Sequence, residues 1–197
     1  MALITRGFGG SRGARDSRLP PGQTRVEDWP VLTAGATPEV DPSVWEFTVI
    51  TENGEAARWS WDAFRALGME EFTVDIHCVT HWSRLGMPWR GVPLDRVFAQ
   101  VETSYDYVMV HSHGGYTTNV PLAELLDGRA WIAFEADGAP LEPEHGGPAR
   151  LVVPHLYFWK SAKWVTGLKM MARDEPGFWE ERGYHLHGDP WTEERYS

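Results

Sequence analysis

The sequence predicts an α+β domain built of mixed sheets with short helices. Three observations carry this. The chain has 197 residues, ordinary apolar content and eleven Trp, enough for one sizeable core. Short apolar runs with strand character recur along it, closed off by Gly, Pro or Asn. Helical spacing occurs only in short segments, and no regular strand–helix–strand alternation links the runs.

The elements follow in order. Residues 1–40 are rich in Gly, Pro, Arg and Ser and read as largely irregular. Residues 1–30 are expected to be a flexible tail and residues 31–197 the folded domain, with Val31 and Leu32 docking on it. Trp45 to Ile50 alternates and then turns apolar, as a strand does. Asn53-Gly54 is a turn signal. Ser60 can cap a short helix containing Phe64 and Leu67. Phe72 to His77 is the next strand, with Cys78 at its end or in the loop beyond. Pro93 suits a first helical position, and Leu94, Val97, Phe98 and Val101 repeat at helical spacing. Tyr107 to His111 reads as a strand broken by Gly114-Gly115. Pro121 with Leu122, Leu125 and Leu126 reads as a short helix. Trp131 to Phe134, Leu151 to Val153 and Trp164 to Met170 are further strands. Pro176 to Ser197 is expected to wrap the surface as helix and loop.

Charge narrows the partners. Lys plus Arg total 18 and Asp plus Glu 28, a formal net charge of −10. A general nucleic-acid binder needs a basic face, so that class is set aside. A local basic pocket for one anionic cofactor remains compatible. No apolar run approaches the roughly 18 residues of a membrane span. The basic, Gly-rich N-terminus has no apolar signal core and no adjacent twin arginines, so a cytoplasmic location is expected.

Cys78 is the only cysteine and cannot form an intramolecular disulfide. It is a buried small hydrophobe, a reactive thiol or a metal ligand. Its setting is Asp75-Ile76-His77-Cys78-Val79-Thr80-His81-Trp82-Ser83. About ten residues on comes Pro88-Trp89-Arg90-Gly91-Val92-Pro93-Leu94. A third segment runs from Glu144 to Trp164 and contains Gly146-Gly147-Pro148-Ala149-Arg150 and Ser161-Ala162-Lys163. Together these resemble the molybdenum-binding domain of the sulfite oxidase family, over roughly residues 30–195.

The resemblance implies a sulfite oxidase-type molybdopterin-binding fold and a molybdenum–molybdopterin cofactor. Cys78 is then the metal ligand, beside two dithiolene sulfurs of the pterin and terminal oxygens. A thiolate is the soft, anionic donor that suits such a metal. Cofactor contacts fall on His145, Arg150, Ser161, Ala162 and Lys163, and on Ser112 near the second Gly-rich break. His145 stands where the methionine sulfoxide reductase branch has Asn, though it can still make one hydrogen bond. Taken singly, Arg150 and Lys163 read as surface charges or salt-bridge partners in an acidic chain. Within the Gly146–Pro154 run they read as a planar fork and a compact charge for phosphate. Lys160 is either a second basic contact or a solvent-facing residue. Tyr116 resembles the family's Gly-Tyr element.

His81, three positions after Cys78, either lines the substrate pocket and moves protons or forms a hydrogen-bonded wall. His111 with His113, and His185 with His187, are strand-spaced pairs that fit part of a zinc site or ordinary polar roles. Trp82, Trp89 and Trp164 read as core. Sulfite oxidases follow their cysteine with Ala-Gly-Asn-Arg, whereas Val-Thr-His-Trp follows Cys78. The expected reaction is therefore oxygen-atom transfer to or from a small substrate, with a neutral sulfoxide or N-oxide first, although Arg84 and Arg90 can supply charge. Electrons are expected from a separate partner, since no haem or iron–sulfur cysteine set is present. The competing readings are a non-catalytic molybdopterin carrier and a zinc-binding regulatory protein.

Overall fold

Two sheets form the domain in a computed structural model that describes residues 16–197. The first begins with β1 (Thr24–Arg25). The hairpin of β2 (Glu46–Thr51) and β3 (Gly54–Ser60) belongs to the second and turns at Asn53-Gly54, where Gly54 has φ +102°. Helix α1 (Trp61–Arg65) follows and buries Phe64 completely. Ser60 stands at its N-cap with no side-chain cap bond. Next come β4 (Glu70–His77), β5 (Trp82–Pro93) and helix α2 (Leu94–Phe98), whose Leu94 and Val97 are buried. The chain continues through β6 (Tyr107–Ser112), β7 (Thr117–Pro121), β8 (Trp131–Ala136), β9 (Ala139–Pro140), β10 (Arg150–Val152) and β11 (Val165–Met171).

One sheet runs β1-β5-β8-β10, with β4 also on β5 and β9 on β8. The other runs β3-β2-β11-β6-β7, with β11 parallel to β2. Burial on β2 and β6 alternates, so Phe47, Val49, Val108 and Val110 point into the main core. A second core gathers Ile76, Met87, Trp89, Val152 and Tyr157 around Cys78.

Strands β3, β5 and β7 lie where the sequence alone marked none. Strand β5 is masked by Gly86, Pro88, Gly91 and Pro93. Pro88 sits just before the β5–β8 ladder, which starts at Trp89↔Ala136, so its missing N–H costs that ladder nothing. Gly91 lies at a bulge where a Cβ would collide with the Ile132 carbonyl. The segment around Leu122–Glu124 is one turn of 3₁₀ helix, and Pro121 ends β7.

The expected tail is shorter than 30 residues on the part that is described; residues 1–15 lie outside the described residues. Pro20 is buried, and β1 pairs in parallel with the start of β5 through Thr24↔Trp82. Trp29 stacks on His145 with ring centroids 3.9 Å apart. A Gly- and Pro-rich composition masked a segment whose few apolar and aromatic side chains dock on the second core. No helix among the described residues is long and apolar enough to cross a membrane.

Candidate functional site

The end of β4 delivers Cys78 into a tight turn. The Cys78 N–H donates to the Trp82 carbonyl at 2.8 Å, and the His81 N–H donates to the Cys78 carbonyl at 3.1 Å. Gln23 Nε2 donates to the same Cys78 carbonyl at 3.0 Å, and Arg195 Nη1 donates to the Val79 carbonyl at 2.6 Å. The turn is thus clamped from both ends of the described chain. Burial pushes the Cys78 thiol up, while a hydrogen bond with Thr80 pulls the other way. The Sγ to Thr80 Oγ1 distance is 3.1 Å.

Cys78 faces a cavity of about 390 Å³. His145, Arg150, Ser161, Ala162 and Lys163 line it as well, joined by Thr80, Trp82, His113 and Tyr116. Residues Trp29 to Ala36 close one side, and Phe158, Trp159, Phe178, Trp179 and Tyr184 form aromatic walls.

The two cations are unusual in their partners. Arg150 is 1% exposed and donates to the carbonyls of His145 and Ser161, each at 2.7 Å. Lys163 donates to the carbonyls of Leu32 at 2.8 Å and Glu144 at 2.5 Å. Among the described residues neither has a carboxylate partner. Burial lowers Arg150 to about 9, and burial with the nearby Arg150 charge lowers Lys163 to about 8. His145 is pushed down by burial and by the Arg150 and Lys163 charges. Buried positive charge without a counter-charge is costly, and an anion in the cavity relieves it. Gly146 admits the Lys163 side chain: a Cβ there would stand 3.0 Å from the lysine's Cβ and Cγ.

The depressed Lys163 makes the stability of the fold depend on pH. Its folded-state value, about 8, lies below the ordinary 10.5. The unfolded chain therefore binds more protons between about 8 and 10.5, and this group adds stability as pH rises through that window. The cost is fully present below about 8. In protein without bound cofactor, wild type should gain stability relative to Lys163→Met as pH rises from 8 towards 10. Denaturant titrations of the pair at several pH values check this, and a constant difference would contradict it.

Comparison with known proteins gives the family. The profile described as "Oxidoreductase molybdopterin binding domain" matches residues 34–179. The chain belongs to this family. It is 41% identical to the uncharacterized oxidoreductase YuiH of Bacillus subtilis, across 96% of this chain and 98% of that protein. It is 27% identical to a putative protein-methionine-sulfoxide reductase subunit, YedZ1, of Azospira oryzae, covering 76% of this chain and 58% of that one. Among solved structures, the sulfane dehydrogenase SoxCD of Paracoccus pantotrophus superposes with a TM-score of 0.62 at 19% identity, over 70% of this chain and 40% of its own. That likeness shows the fold, a sulfite oxidase-type molybdopterin domain of mixed sheets. This protein is accordingly a small molybdopterin-dependent oxidoreductase.

The cavity fits the cofactor. It offers a thiol and two cations that lack a carboxylate partner among the described residues. A phosphate-bearing pterin with a thiophilic metal answers both. Ser161 serves the site by holding its neighbours: its side-chain Oγ accepts from the Val153 N–H at 2.9 Å, and its carbonyl accepts from Arg150 at 2.7 Å.

Three expectations need correction. His81 does not line the cavity. Its φ of +71° turns it outward, where Nδ1 lies 3.0 Å from the Gly22 carbonyl. Ser112 also lies outside the lining. On β6 it shares the inward face of Val108 and Val110, so its side chain is buried, with its hydroxyl unpartnered. The neighbouring His113 and Tyr116 line the cavity instead. Lys160 is neither a cofactor contact nor exposed: it forms a fully buried ion pair with Glu180 at 2.6 Å.

Of the paired histidines, His185 and His187 find an ordinary partner in Glu194, with His187 Nδ1 at 2.8 Å and His185 Nδ1 at 3.4 Å, while His113 lines the cavity. Among the described residues no cluster of three or more His, Cys, Asp or Glu is placed to hold a metal ion. Thr80, Trp29 and the aromatic walls are site residues that the motifs did not mark. An excess of Trp, Phe and Tyr near the C-terminus was the available signal.

Proposed function

We propose that this protein reduces a neutral sulfoxide or N-oxide, with Cys78 as the molybdenum ligand and Arg150 and Lys163 as the phosphate contacts. The observation that carries this is the meeting of Cys78, Arg150 and Lys163, far apart in sequence, around one cavity. When bound, the cofactor supplies the two-electron redox chemistry. Oxygen transfer from a sulfoxide consumes two electrons and two protons and releases a thioether and water.

The protein's own residues divide the remaining work. Arg150 and Lys163 hold the anionic end. His145, stacked on Trp29, offers a hydrogen bond to the pterin. The walls of Phe158, Trp159, Phe178, Trp179 and Tyr184 exclude water. Tyr116 keeps its proton, because burial and the nearby Glu180 charge push its phenol well above the ordinary tyrosine range. At present it donates to the Trp159 carbonyl at 2.6 Å.

A neutral substrate is supported by how the other arginines are engaged. Arg84 is bound in a two-pronged pair to Asp137, at 2.7 and 2.8 Å. Arg90 pairs with Glu135 at 3.2 Å, and neither arginine lines the cavity. Among the described residues no other Lys or Arg lines the cavity to meet an anionic substrate once Arg150 and Lys163 hold the cofactor. A separate electron donor is part of the proposal, because the single cysteine leaves no thiolate set for an iron–sulfur cluster. A reducing compartment, the cytoplasm, suits a thiolate that must stay reduced.

The test is elemental and pterin analysis of protein from a molybdenum-replete host, followed by a dye-linked assay on a panel of sulfoxides, N-oxides and sulfite. Molybdenum with pterin and turnover of a neutral oxide is expected. Stoichiometric zinc without pterin, or activity on sulfite alone, would overturn the reading. Arg150→Ala should weaken cofactor retention tenfold or more, since a charge-assisted contact contributes about 1.5–3 kcal/mol. Full occupancy of the variant after extended dilution would remove Arg150 from the contacts.

A further inference from the structure

Among the described residues Thr80 is the one polar side chain in hydrogen-bond contact with the Cys78 sulfur, at 3.1 Å, and its hydroxyl makes no other hydrogen bond there. The contact is preset. Gln23 and Arg195 hold the carbonyls of Cys78 and Val79, and the Cys78 N–H is tied to Trp82 across the turn. Thr80 and Cys78 both line the cavity. With a free thiol, either group can donate. A sulfur bound to a metal has lost its proton, so only one direction remains: Thr80 donates and Cys78 accepts.

We propose that Thr80 is a positioning residue whose hydroxyl donates to the metal-bound sulfur of Cys78 and raises the reduction potential of the molybdenum. The inference rests on Cys78 being the ligand. Its physics is general. A hydrogen bond drains charge from a thiolate, so the sulfur donates less to the metal. Reduction puts more negative charge on the metal–sulfur unit and strengthens the bond. The reduced state gains more than the oxidised state, and the potential rises.

The experiment compares wild type, Thr80→Val, Thr80→Ser and Cys78→Ser as molybdenum-loaded protein. The readouts are molybdenum content, the electron paramagnetic resonance signal of the one-electron-reduced metal, and its midpoint potential by redox titration without substrate. Valine keeps the shape and removes the donor. Thr80→Val should keep its molybdenum and shift the reduction equilibrium about tenfold towards the oxidised state. That equals about 59 mV for a one-electron couple. Thr80→Ser should restore the wild-type potential.

An unchanged potential and signal in Thr80→Val, alongside a changed signal in Cys78→Ser, would overturn the role of Thr80 and leave Cys78 as the ligand. A rise in KM with no change in potential would make Thr80 a substrate contact and likewise overturn the inference. So would loss of molybdenum from Thr80→Val, since the hydroxyl would then serve retention and not tuning. An unchanged signal in Cys78→Ser would strike earlier, at the assignment of Cys78 itself.

Discussion

Cys78→Ser should abolish turnover in a protein that still folds and still holds much of its pterin. In the proposed arrangement Arg150 and Lys163 hold the anionic end and His145 contacts the pterin, so loss of one metal ligand leaves several contacts in place. The metal's reactivity depends on its sulfur donors, and a serine oxygen is a harder, poorer one. The fold carries a modest cost, about 1–3 kcal/mol if the new hydroxyl finds no partner. Thr80 Oγ1 stands close enough to be that partner, which places the cost at the low end. A domain of ordinary stability, about 5–15 kcal/mol, tolerates it. Melting temperature, molybdenum content and dye-linked rate on one preparation provide the check. Wild-type activity per bound molybdenum would remove Cys78 from the mechanism.

Lys160→Met should destabilise the domain by about 3–5 kcal/mol. Both side chains of the Lys160–Glu180 pair are fully buried. Burial lowers the lysine's affinity for its proton and Glu180 restores part of it. Removing the lysine leaves a buried carboxylate held only by the Thr118 hydroxyl at 3.0 Å and the Trp159 N–H at 2.8 Å. It also removes the donor that the Asn119 and Leu186 carbonyls now meet at 2.8 and 2.6 Å, leaving Leu186 with the Asn119 Nδ2 bond at 3.0 Å. The damage reaches the site, because Trp159 is a cavity wall and Glu180 follows Phe178 and Trp179 in sequence. Replacing both partners, Lys160→Met with Glu180→Leu, should recover most of the loss, since a well-packed apolar pair avoids the unmatched charge. Urea midpoints of the two single variants and the double variant test this. A loss below about 1 kcal/mol for Lys160→Met would show that the pair is not structurally important.

The strongly periodic segments were legible. Glu46–Thr51, Glu70–His77, Tyr107–Ser112 and Val165–Met171 are strands close to where alternation and apolar runs placed them. What failed was hidden by particular residues. Pro88 and the glycines concealed β5, because a bulged strand carries the same punctuation as a loop. The segment from Pro20 to Pro30 looked like a tail, because its hold on the domain comes from the two-residue β1 pairing and the Trp29–His145 stack. Neither leaves a periodic signal.

In the site, Cys78, Arg150 and Lys163 were marked by motif, and the fold brings them to one cavity. His81 and Thr80 show the limit. Both lie within three residues of Cys78, and histidine has the more suggestive chemistry. A single left-handed residue in the turn sends His81 out and leaves Thr80 beside the sulfur. Sequence spacing carries no record of that rotation.

The most direct test is X-ray absorption at the molybdenum edge on wild type and Cys78→Ser, each loaded with cofactor. The variant should show one sulfur neighbour fewer around the metal, replaced by an oxygen or by nothing. An identical sulfur shell in both proteins would contradict the assignment of Cys78 as the molybdenum ligand.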